Sequence, residues 1–497
     1  MKRNLKKVFT IVLAMCMFST TVFASELKDN NSTKAAKTPD KNQVISTNGF
    51  TISGEDLEKL GQGMLKYLME YFGEEKEEAP QPVAGNTSDE LEGYALEQVV
   101  ILSRHNLRAP LSSNGSVPQE LTPHEWIKWS AGSSELTVKG GIQETNMGQY
   151  FRKWFDKEGL FPENSIPEPG EVRFCARDKQ RCRATAKYFA SGLFPLADID
   201  IEHPGDADNT PDFMKPVLHF YSDEYAEDAT EQVANMNGDG GFEGLSKQLR
   251  DDIALVMDVV DMEDSEAYKS GKYGDLMKDG SGYQMAPGEE PDMTGAIKTT
   301  SQVVDALVLQ YYEEPDKLKA AFGHDLTQED WERIGSFITT YLNTKHGAQL
   351  VSVNITNPLI EELESELKNE NRKLTFFCAH DCTVLGTLSA LGVEPYELPG
   401  SIETMTPIGV KLMFEKLRDE DDMVWYRVSL LYRNTDQIRN SEILTLDNPP
   451  MRYNLSFKGV ETNEDGLISE DDLFLLFENT IKLYYELEEE YALDIAA

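Results

Sequence analysis

The stretch VVILSRHNLRAP (residues 99–110) decides the fold, because it joins a buried strand to a cluster of charged side chains. VVILS (99–103) is a continuous apolar run rich in β-branched residues, which is typical of a strand buried on both faces. Arg104, His105 and Arg108 follow at the point where the strand ends and the chain turns. We therefore expect a sheet whose strand ends carry the functional side chains.

Two further segments have the same character, and each also leads into polar residues. EVRFCA (171–176) precedes Arg181, and KLTFFCAH (373–380) ends in His380 and is followed by Asp381. Buried strands that alternate with helical patterns are typical of an α/β fold, with a parallel sheet covered by helices on both faces. Because ligands in such folds gather beyond the carboxyl ends of the strands, we expect these strand ends to form one site.

The middle of the chain, about residues 205–345, has mostly helical periodicity. Its clearest segments are SQVVDALVLQYYEE (301–314) and EDWERIGSFITTYL (329–342), whose apolar residues recur at helical spacing. We predict that this region is a mostly α-helical cap domain inserted into the α/β core. The core would then comprise residues of about 94–204 and 346–497.

Residues 1–24 are typical of a secretory signal peptide that is cleaved after Ala24. Basic residues precede an apolar run, and small residues stand before the cleavage point. A membrane anchor is less consistent with the short apolar run, and a lipoprotein cut before Cys16 is disfavoured because Met15 stands where a small residue is needed. We therefore expect an extracytoplasmic protein, periplasmic or secreted, with no membrane span after signal removal.

Residues 25–93 are predicted to be an N-terminal extension. Residues 25–50 are polar and typical of an irregular linker, and the apolar residues from Leu57 to Phe72 recur at helical spacing. The amphipathic helix can pack on the main domain or bind a partner or a second copy. The oligomeric state is not predictable from this pattern.

The charge of the chain excludes two classes of partner. The 497 residues carry a formal net charge of −40, and removal of residues 1–24, with four basic residues and no acidic ones, changes it to −44. Such a surface repels nucleic acid and anionic lipid, so we expect neither as a partner.

The sequence predicts no metal or other cofactor. The cysteines after residue 24 have no C-x-x-C spacing, and their disulfide pairing cannot be read from the sequence. ETNEDGLISEDD (461–472) approximates a calcium-binding loop, but it has Glu461 where such a loop has Asp, and no entering helix precedes it. An Asp-Gly turn that leads into the last helix fits this segment better.

The polar residues at the strand ends suit the chemistry of a phosphate group. Arginine binds two phosphate oxygens at once through its planar guanidinium. A histidine among arginines holds its proton less firmly, so a free nitrogen stays available as a nucleophile. A carboxyl group beside an anion tends to keep its proton and can act as a general acid. The alternative is a surface turn in which charges cluster by chance.

The segments SRHNLRAP and CAHDCT together resemble the histidine acid phosphatases, which carry an Arg-His-x-x-Arg-x-Pro motif early and a His-Asp motif late. Further stretches are most similar to the glucose-1-phosphatase subgroup of this family. They are LTVKGGIQETNMGQYFRKWF, QRCRATAKYFASGLFP, ETMTPIGVKLMF and LTLDNPPMRYNLSFKG. The similarity runs from about residue 94 to the end and leaves residues 25–93 unexplained.

This resemblance implies a role for each matching residue. His105 would be the nucleophile that forms a phosphohistidine, and Asp381 would be the proton donor. The phosphate would be bound by Arg104, Arg108, Arg181 and His380. Glu290 would contact the substrate, although the neighbouring Glu289 is an alternative for that position.

The chain departs from the family pattern at two places. Asn106 follows the predicted nucleophile where phytases of the family usually have glycine, and glucose-1-phosphatases share the asparagine. Cys382 and Thr383 follow the predicted proton donor where Ser-Asn or Thr-Asn is more usual, so the polar contacts around that acid can differ.

The resemblance therefore implies a metal-independent acid phosphatase that hydrolyses sugar phosphate monoesters, with glucose 1-phosphate as the expected substrate. One alternative is a phytase, which would act on inositol hexakisphosphate with the same chemistry. Another is a secreted binding protein that keeps the fold without catalysis. The acidic cap residues Glu289 and Glu290 favour a small sugar phosphate over a polyanion.

Overall fold

The structure is a computed structural model that describes residues 44–47, 50–53, 91–111, 117–204, 212–238, 240–272 and 280–491. The chain divides into two compact units, Met1–Gln81 and Pro82–Ala497. The predicted signal peptide and the predicted helix from Leu57 to Phe72 lie outside the described residues.

The smaller unit contains a two-stranded hairpin. Strand β1 (Val44–Thr47) pairs antiparallel with strand β2 (Phe50–Ser53). Strand β1 and the first residue of β2 lie in the segment expected to be an irregular linker, so that expectation is corrected for residues 44–47 and 50, the part of the segment that the structure describes. The residues between the strands are Asn48-Gly49, and this dipeptide between two β-branched runs is a strong hairpin signal that outweighs the polar composition around it.

The larger unit alternates strands and helices. Its strands are β3 (Tyr94–Arg104), β4 (Val172–Ala176), β5 (Gly282–Gln284), β6 (Asp292–Thr294), β7 (Leu374–Ala379), β8 (Lys411–Asp419), β9 (Val424–Tyr432), β10 (Met451–Asn454) and β11 (Ile468–Ser469). Its helices are α1 (Val117–Glu120), α2 (Val138–Lys157), α3 (Gln180–Leu193), α4 (Asp223–Met236), α5 (Gly241–Gln248), α6 (Arg250–Val259), α7 (Glu266–Lys269), α8 (Ala296–Glu313), α9 (Lys317–Ala320), α10 (Gln328–His346), α11 (Gln349–Leu367), α12 (Asp381–Ala390), α13 (Thr435–Arg439) and α14 (Glu470–Tyr491). Within the described ranges, no helix is long and apolar enough to cross a membrane.

Seven strands form one mixed sheet in the order β10-β9-β8-β3-β7-β4, with β11 beside β9. The three strands predicted from apolar runs, β3, β7 and β4, are parallel neighbours. The other four pair antiparallel, so only part of the sheet is parallel. Strand β8 was not predicted from the sequence, because its residues do not form an apolar run. It contains the charged residues Lys411 and Glu415, which are nevertheless fully buried.

The register aligns the carboxyl ends of the three parallel strands. Arg104 at the end of β3 is opposite Ala379 of β7, and Ala176 at the end of β4 is opposite Cys378. The residues that follow β3, β4 and β7 therefore leave the sheet at one edge, as expected.

Helices cover both faces of the sheet, which confirms the predicted α/β layering. On β3, Val99 and Ile101 pack in the same apolar cluster as residues of α2 and α3. Val100 and Leu102 point to the opposite face and pack in a cluster with residues of α11, α12 and α14. This alternation is the two-residue period of a strand that is buried on both sides.

The described residues of 212–346 are mostly helical and supply most of one apolar cluster, which includes Leu307 and Trp331. Helix α10 contains one of the two segments predicted from helical periodicity, and α8 contains the other except for its last residue, Glu314. Leu107 and Ile408, which lie beside the ends of β3 and β8, belong to the same cluster. The helical region therefore packs directly against the sheet edge where the predicted site residues emerge.

The calcium-like segment 461–472 forms the predicted turn. The side-chain oxygen of Asn463 accepts hydrogen bonds from the backbone N–H groups of Asp465 and Leu467. Gly466 has a φ of 76°, which suits glycine, and α14 begins shortly afterwards at Glu470.

Helices α2 and α3 pack backbone to backbone through two glycines. A Cβ atom on Gly192 would lie 2.1 Å from the carbonyl oxygen of Thr145, and one on Gly148 would lie 2.2 Å from that of Phe189. Because α3 carries Arg181 near its first turn, this close contact helps to fix the position of that arginine.

We predict that Gly192→Ala lowers the free energy of unfolding by about 1–3 kcal/mol, because the added methyl group collides with rigid backbone. In an unconstrained helix the same change would be stabilising. Gly280→Ala is the matched control, since a Cβ there meets no atom within 4 Å and φ is not positive. Urea unfolding of both variants checks the prediction, and equal stabilities would contradict it.

Candidate active site

His105 lies directly after β3, and only 2% of it is exposed. Its backbone N–H donates to the carbonyl of Ala379 at 3.0 Å, which ties it to the end of β7. Its ring Nδ1 is 2.9 Å from the carbonyl oxygen of Asn106. Because a carbonyl oxygen only accepts, Nδ1 is the protonated nitrogen, and in the neutral ring Nε2 carries the free lone pair.

The surroundings of His105 favour the neutral ring. Burial lowers the pKa of the imidazole well below its ordinary value, and positive neighbours lower it further. In order of decreasing effect, these neighbours are Arg181, His380, Arg108 and Arg104. The structure thus gathers all the predicted phosphate-binding residues around the predicted nucleophile.

Arg104 is buried at the end of β3 and is held by two carboxylates. Its Nη1 lies 2.6 Å from Glu403 and its Nη2 lies 3.0 Å from Asp381. Nη1 also donates to the carbonyl of Thr406 at 2.5 Å. Burial alone would lower the pKa of this guanidinium, but the two carboxylates outweigh burial and raise it.

Arg108 is held in a bidentate pair with Asp305 on α8. Nη2 donates to Oδ1 at 2.8 Å and Nη1 donates to Oδ2 at 3.1 Å. This fork geometry is the strong form of an arginine–carboxylate contact. It fixes the guanidinium and joins the helical region to the loop after β3.

Arg181, the second residue of α3, has fewer partners than the other two arginines. Its Nη1 donates to the carbonyl of Ser134 at 3.4 Å, and within the described residues its buried Nε has no hydrogen-bond partner. Burial lowers the pKa of Arg181, and the charge of Arg108 lowers it further. This guanidinium is therefore the one of the three that is most open to an anion.

His380 follows β7 and faces the ring of His105 edge-on, with ring centroids 5.3 Å apart. Its Nδ1 lies 3.8 Å from the sulfur of Cys182. Its Nε2 is buried and has no hydrogen-bond partner in the described part of the chain. Cys175, Cys182, Cys378 and Cys382 are all buried, free thiols.

Asp381 is the first residue of α12, and 20% of its side chain is exposed. Besides its pair with Arg104, its Oδ1 accepts the backbone N–H of Cys382 at 2.8 Å. Burial alone would raise the pKa of this carboxyl. The charges of Arg104 and His380 and the N–H of Cys382 outweigh burial, so the pKa lies below its ordinary value.

The two unusual residues after Asp381 both turn into the protein. Cys382 packs in an apolar cluster with Leu342 and Leu385, and burial raises the pKa of its thiol. The hydroxyl of Thr383 donates to the carbonyl of Met214 at 3.3 Å. Cys382 is thus a packing residue here.

The charge of Glu290 acts on the thiol of Cys382: burial is the main reason why the pKa of that thiol is raised, and the charge of Glu290 raises it further. Its Oε1 accepts from Lys345 at 2.8 Å and lies 3.4 Å from Nε2 of His346. Burial alone would raise the pKa of Glu290, but His346 and Lys345 lower it below its ordinary value. Glu290 and the neighbouring Glu289 are both exposed, and 37% of the Glu290 side chain is accessible to solvent.

Two carboxylates of the site, Asp305 and Glu403, were not predicted. Each of them stands at a recognisable position in the sequence, but the sequence does not show which arginine it pairs with. Asp305 is the single charged residue in the apolar helical run SQVVDALVLQYY (301–312), and Glu403 lies in ETMTPIG, one of the stretches that carry the family resemblance.

A buried network supports the loop that carries His105. The side-chain amide of Asn106 donates to Glu144 at 2.7 Å, and Lys411 donates to the other oxygen of Glu144 at 2.8 Å. The backbone N–H of Asn106 donates to the hydroxyl of Thr185 at 3.1 Å. A glycine after the nucleophile could not make the amide contact, so Asn106 links its loop to α2 and β8.

The arrangement suits a phosphoryl group, because three guanidiniums and an unpartnered imidazole nitrogen surround a neutral nucleophile. In the described part of the chain, no group of three or more His, Cys, Asp or Glu side chains could hold a metal ion. The positive charge at this edge comes from the guanidiniums of Arg104, Arg108 and Arg181.

Comparisons with known proteins identify the family of the chain. Residues 95–433 match the model of the histidine phosphatase superfamily, branch 2. The chain is 31% identical over 381 residues to a glucose-1-phosphatase of Salmonella typhimurium, covering 76% of this chain and 90% of that protein. It is 30% identical over 397 residues to a glucose-1-phosphatase of Providencia rettgeri, covering 79% and 93%.

A solved structure extends the similarity to the fold. The phytase of Citrobacter braakii superposes with a TM-score of 0.71 at 25% identity, covering 78% of this chain and 98% of that one. The family match spans most of the chain, and all the site residues described above lie within it. The chain therefore belongs to branch 2 of the histidine phosphatase superfamily and is a phosphoric monoester hydrolase.

Proposed function

We propose that this protein hydrolyses sugar phosphate monoesters, with glucose 1-phosphate as its substrate, through a phosphohistidine on His105. One observation carries the proposal: His105 is buried and neutral, and three guanidiniums lie around it. The imidazole supplies the nucleophile, and the guanidiniums supply the charge that binds a phosphoryl group.

In the first step, the lone pair of His105 Nε2 attacks phosphorus while the bond from phosphorus to the sugar oxygen breaks. Asp381 donates its proton to that leaving oxygen. The transition state spreads charge over the non-bridging oxygens, so positioned positive groups stabilise it. In this proposal these groups are Arg104, Arg108, Arg181 and His380.

In the second step, water attacks the phosphorus of the phosphohistidine. The bond from phosphorus to nitrogen breaks, and its electron pair returns to Nε2 of His105. The carboxylate of Asp381, which lost its proton in the first step, accepts a proton from the attacking water. Inorganic phosphate then leaves, and both residues are restored.

The proton for the leaving oxygen enters with the substrate. The lowered pKa of Asp381 means that the free site holds a carboxylate at moderately acid pH. The complex of an Asp381 carboxylate with a substrate phosphate monoanion has the same number of protons as the complex of an Asp381 carboxylic acid with a phosphate dianion. Because the second pKa of a phosphate monoester is about 6, we infer that kcat/KM falls above that pH. The nucleophile does not limit activity in mild acid, since the pKa of His105 is also lowered.

Glu290 offers a physical reason for a sugar substrate. Lys345 and His346 both contact its Oε1, which leaves Oε2 to accept a sugar hydroxyl. The adjacent carboxylates Glu289 and Glu290 would repel a polyanion such as inositol hexakisphosphate. The similarity to two glucose-1-phosphatases supports the same choice.

We also propose that residues 1–24 direct the chain out of the cytoplasm, on the strength of their signal-like sequence.

The helical region of about residues 205–345 would act as the cap over the sheet edge. It contributes Asp305, which pairs with Arg108, and the proposed substrate contact Glu290.

The mature protein is expected to hydrolyse glucose 1-phosphate at acid pH with a kcat/KM at least about tenfold above that for inositol hexakisphosphate, equivalent to about 1.4 kcal/mol of transition-state binding. Phosphate release from both substrates measures this ratio. His105→Ala is the control, and it should abolish release from both. A preference for the inositol phosphate would identify a phytase, and activity that survives in His105→Ala would contradict the mechanism.

Asp381→Asn is expected to lower kcat for glucose 1-phosphate by about a hundredfold to ten-thousandfold, the usual contribution of a general acid. The loss should be much smaller with p-nitrophenyl phosphate, because nitrophenolate leaves without a proton. Steady-state assays with the two substrates test this difference. Equal losses would mean that Asp381 binds the phosphate instead of protonating the leaving group.

Glu290→Gln is expected to raise KM for glucose 1-phosphate about tenfold, because a hydrogen bond to a charged acceptor is replaced by a weaker one. Glu289→Gln makes the same chemical change at the adjacent residue and should leave KM near the native value. If Glu289→Gln has the larger effect, the substrate contact belongs to Glu289.

A further inference from the structure

A sulfur–imidazole contact in the site has no part in the mechanism described above. Cys182 is the third residue of α3 and is fully buried. Its sulfur lies 3.8 Å from Nδ1 of His380 and 3.5 Å from the carbonyl oxygen of Ala379. The contact joins the first turn of α3 to the residue that caps α12.

The opposite nitrogen of the same ring requires a ligand. Nε2 of His380 is buried without a hydrogen-bond partner among the described residues, an arrangement that is unfavourable unless a ligand completes it. In the proposed reaction that ligand is a phosphoryl oxygen. Because an ionised phosphoryl oxygen only accepts hydrogen bonds, Nε2 has to carry a hydrogen.

A neutral imidazole has only one ring hydrogen, so its position decides whether Nε2 can donate. If Cys182 donates its S–H to Nδ1, the ring hydrogen is on Nε2. If a Cys182 thiolate accepts from Nδ1 of an imidazolium, both nitrogens carry hydrogen. In both of these cases the proton shared between sulfur and Nδ1 leaves Nε2 as a donor. A Cys182 thiol that donates instead to the carbonyl oxygen of Ala379 and accepts from Nδ1 of a neutral ring would leave Nε2 without hydrogen, so that arrangement could not hold the phosphoryl oxygen through Nε2.

We propose that Cys182 is a positioning residue that acts through His380: by sharing a proton with Nδ1, it fixes the ring with Nε2–H directed to the phosphoryl group. The inference rests on the proposed function, because the acceptor of Nε2–H is the phosphoryl oxygen of that substrate.

The charges around Cys182 favour a sulfur that accepts. Burial alone would raise the pKa of its thiol, but a hydrogen bond from Cys378 and the charges of His380 and Arg181 lower the pKa well below its ordinary value. Burial and the contact with Cys182 raise the pKa of Cys378, so this thiol keeps the proton that it donates. The first turn of a helix also favours a thiolate.

A double-mutant cycle tests whether Cys182 acts through His380. Native protein, Cys182→Ala, His380→Asn and the double variant are compared by kcat/KM for glucose 1-phosphate and by calorimetric Kd for inorganic phosphate. We expect Cys182→Ala to lower kcat/KM by about tenfold or more and to weaken phosphate binding, while adding less than about twofold in the His380→Asn background. A residue that only packs would lower activity equally in both backgrounds, and that result would overturn the proposal.

Cys175→Ala is the matched control, since Cys175 is also a buried thiol but lies on β4, and burial is the main reason why its pKa is raised. It should lose packing without a change in kcat/KM or in phosphate affinity. A loss of activity in Cys175→Ala as large as that in Cys182→Ala would also overturn the proposal.

A second measurement decides the question even if Cys182→Ala does not fold. Nitrogen NMR of histidine-labelled native protein, with His380 assigned by comparison with His380→Asn, reports which ring nitrogens carry hydrogen. A protonated Nε2 at assay pH supports the proposal, and an unprotonated Nε2 overturns it.

A native protein that releases no phosphate from any monoester would defeat the proposed function itself, whereas an active protein with equal losses in the cycle would defeat only the role of Cys182.

Discussion

Repulsion among Arg104, Arg108 and Arg181 is the constraint on which the rest of the site depends, because all three guanidiniums surround one buried imidazole. Leaving a buried charge without a partner costs several kcal/mol, so the chain brings carboxylates to two of these arginines, Arg104 and Arg108. The carboxylates are Asp305, Asp381 and Glu403. Arg181 has no ion pair with a carboxylate within the described ranges, and it leaves the site open to an anion.

The local balance of charge matters more here than the charge of the whole protein. The chain carries a formal net charge of −40, yet positive neighbours dominate the surroundings of His105. Exposed carboxylates are screened by salt over about 8–10 Å, whereas buried groups in contact are screened much less. An acidic protein can therefore hold a neutral histidine and an anion-binding edge.

The parts of this arrangement that were predictable are those with a local pattern. Apolar runs identified β3, β4 and β7, and polar residues directly after them identified most of the site. Asp305 is separated from Arg108 by 197 residues and Glu403 from Arg104 by 299, so no spacing in the sequence connects either pair. The antiparallel strands were not predicted from the sequence for a related reason. Buried ion pairs place charged residues inside these strands, so the strands lack a continuous apolar run.

The paired arginines also explain how a carboxyl of lowered pKa can act as an acid. Asp381 stays ionised in the free site largely because Arg104 lies 3.0 Å away. A phosphoryl group that takes a hydrogen bond from Arg104 weakens this pair and adds a negative neighbour to the carboxylate. Both changes raise the affinity of Asp381 for a proton. Substrate binding and protonation of the acid are then coupled, while Glu403 keeps Arg104 in position throughout.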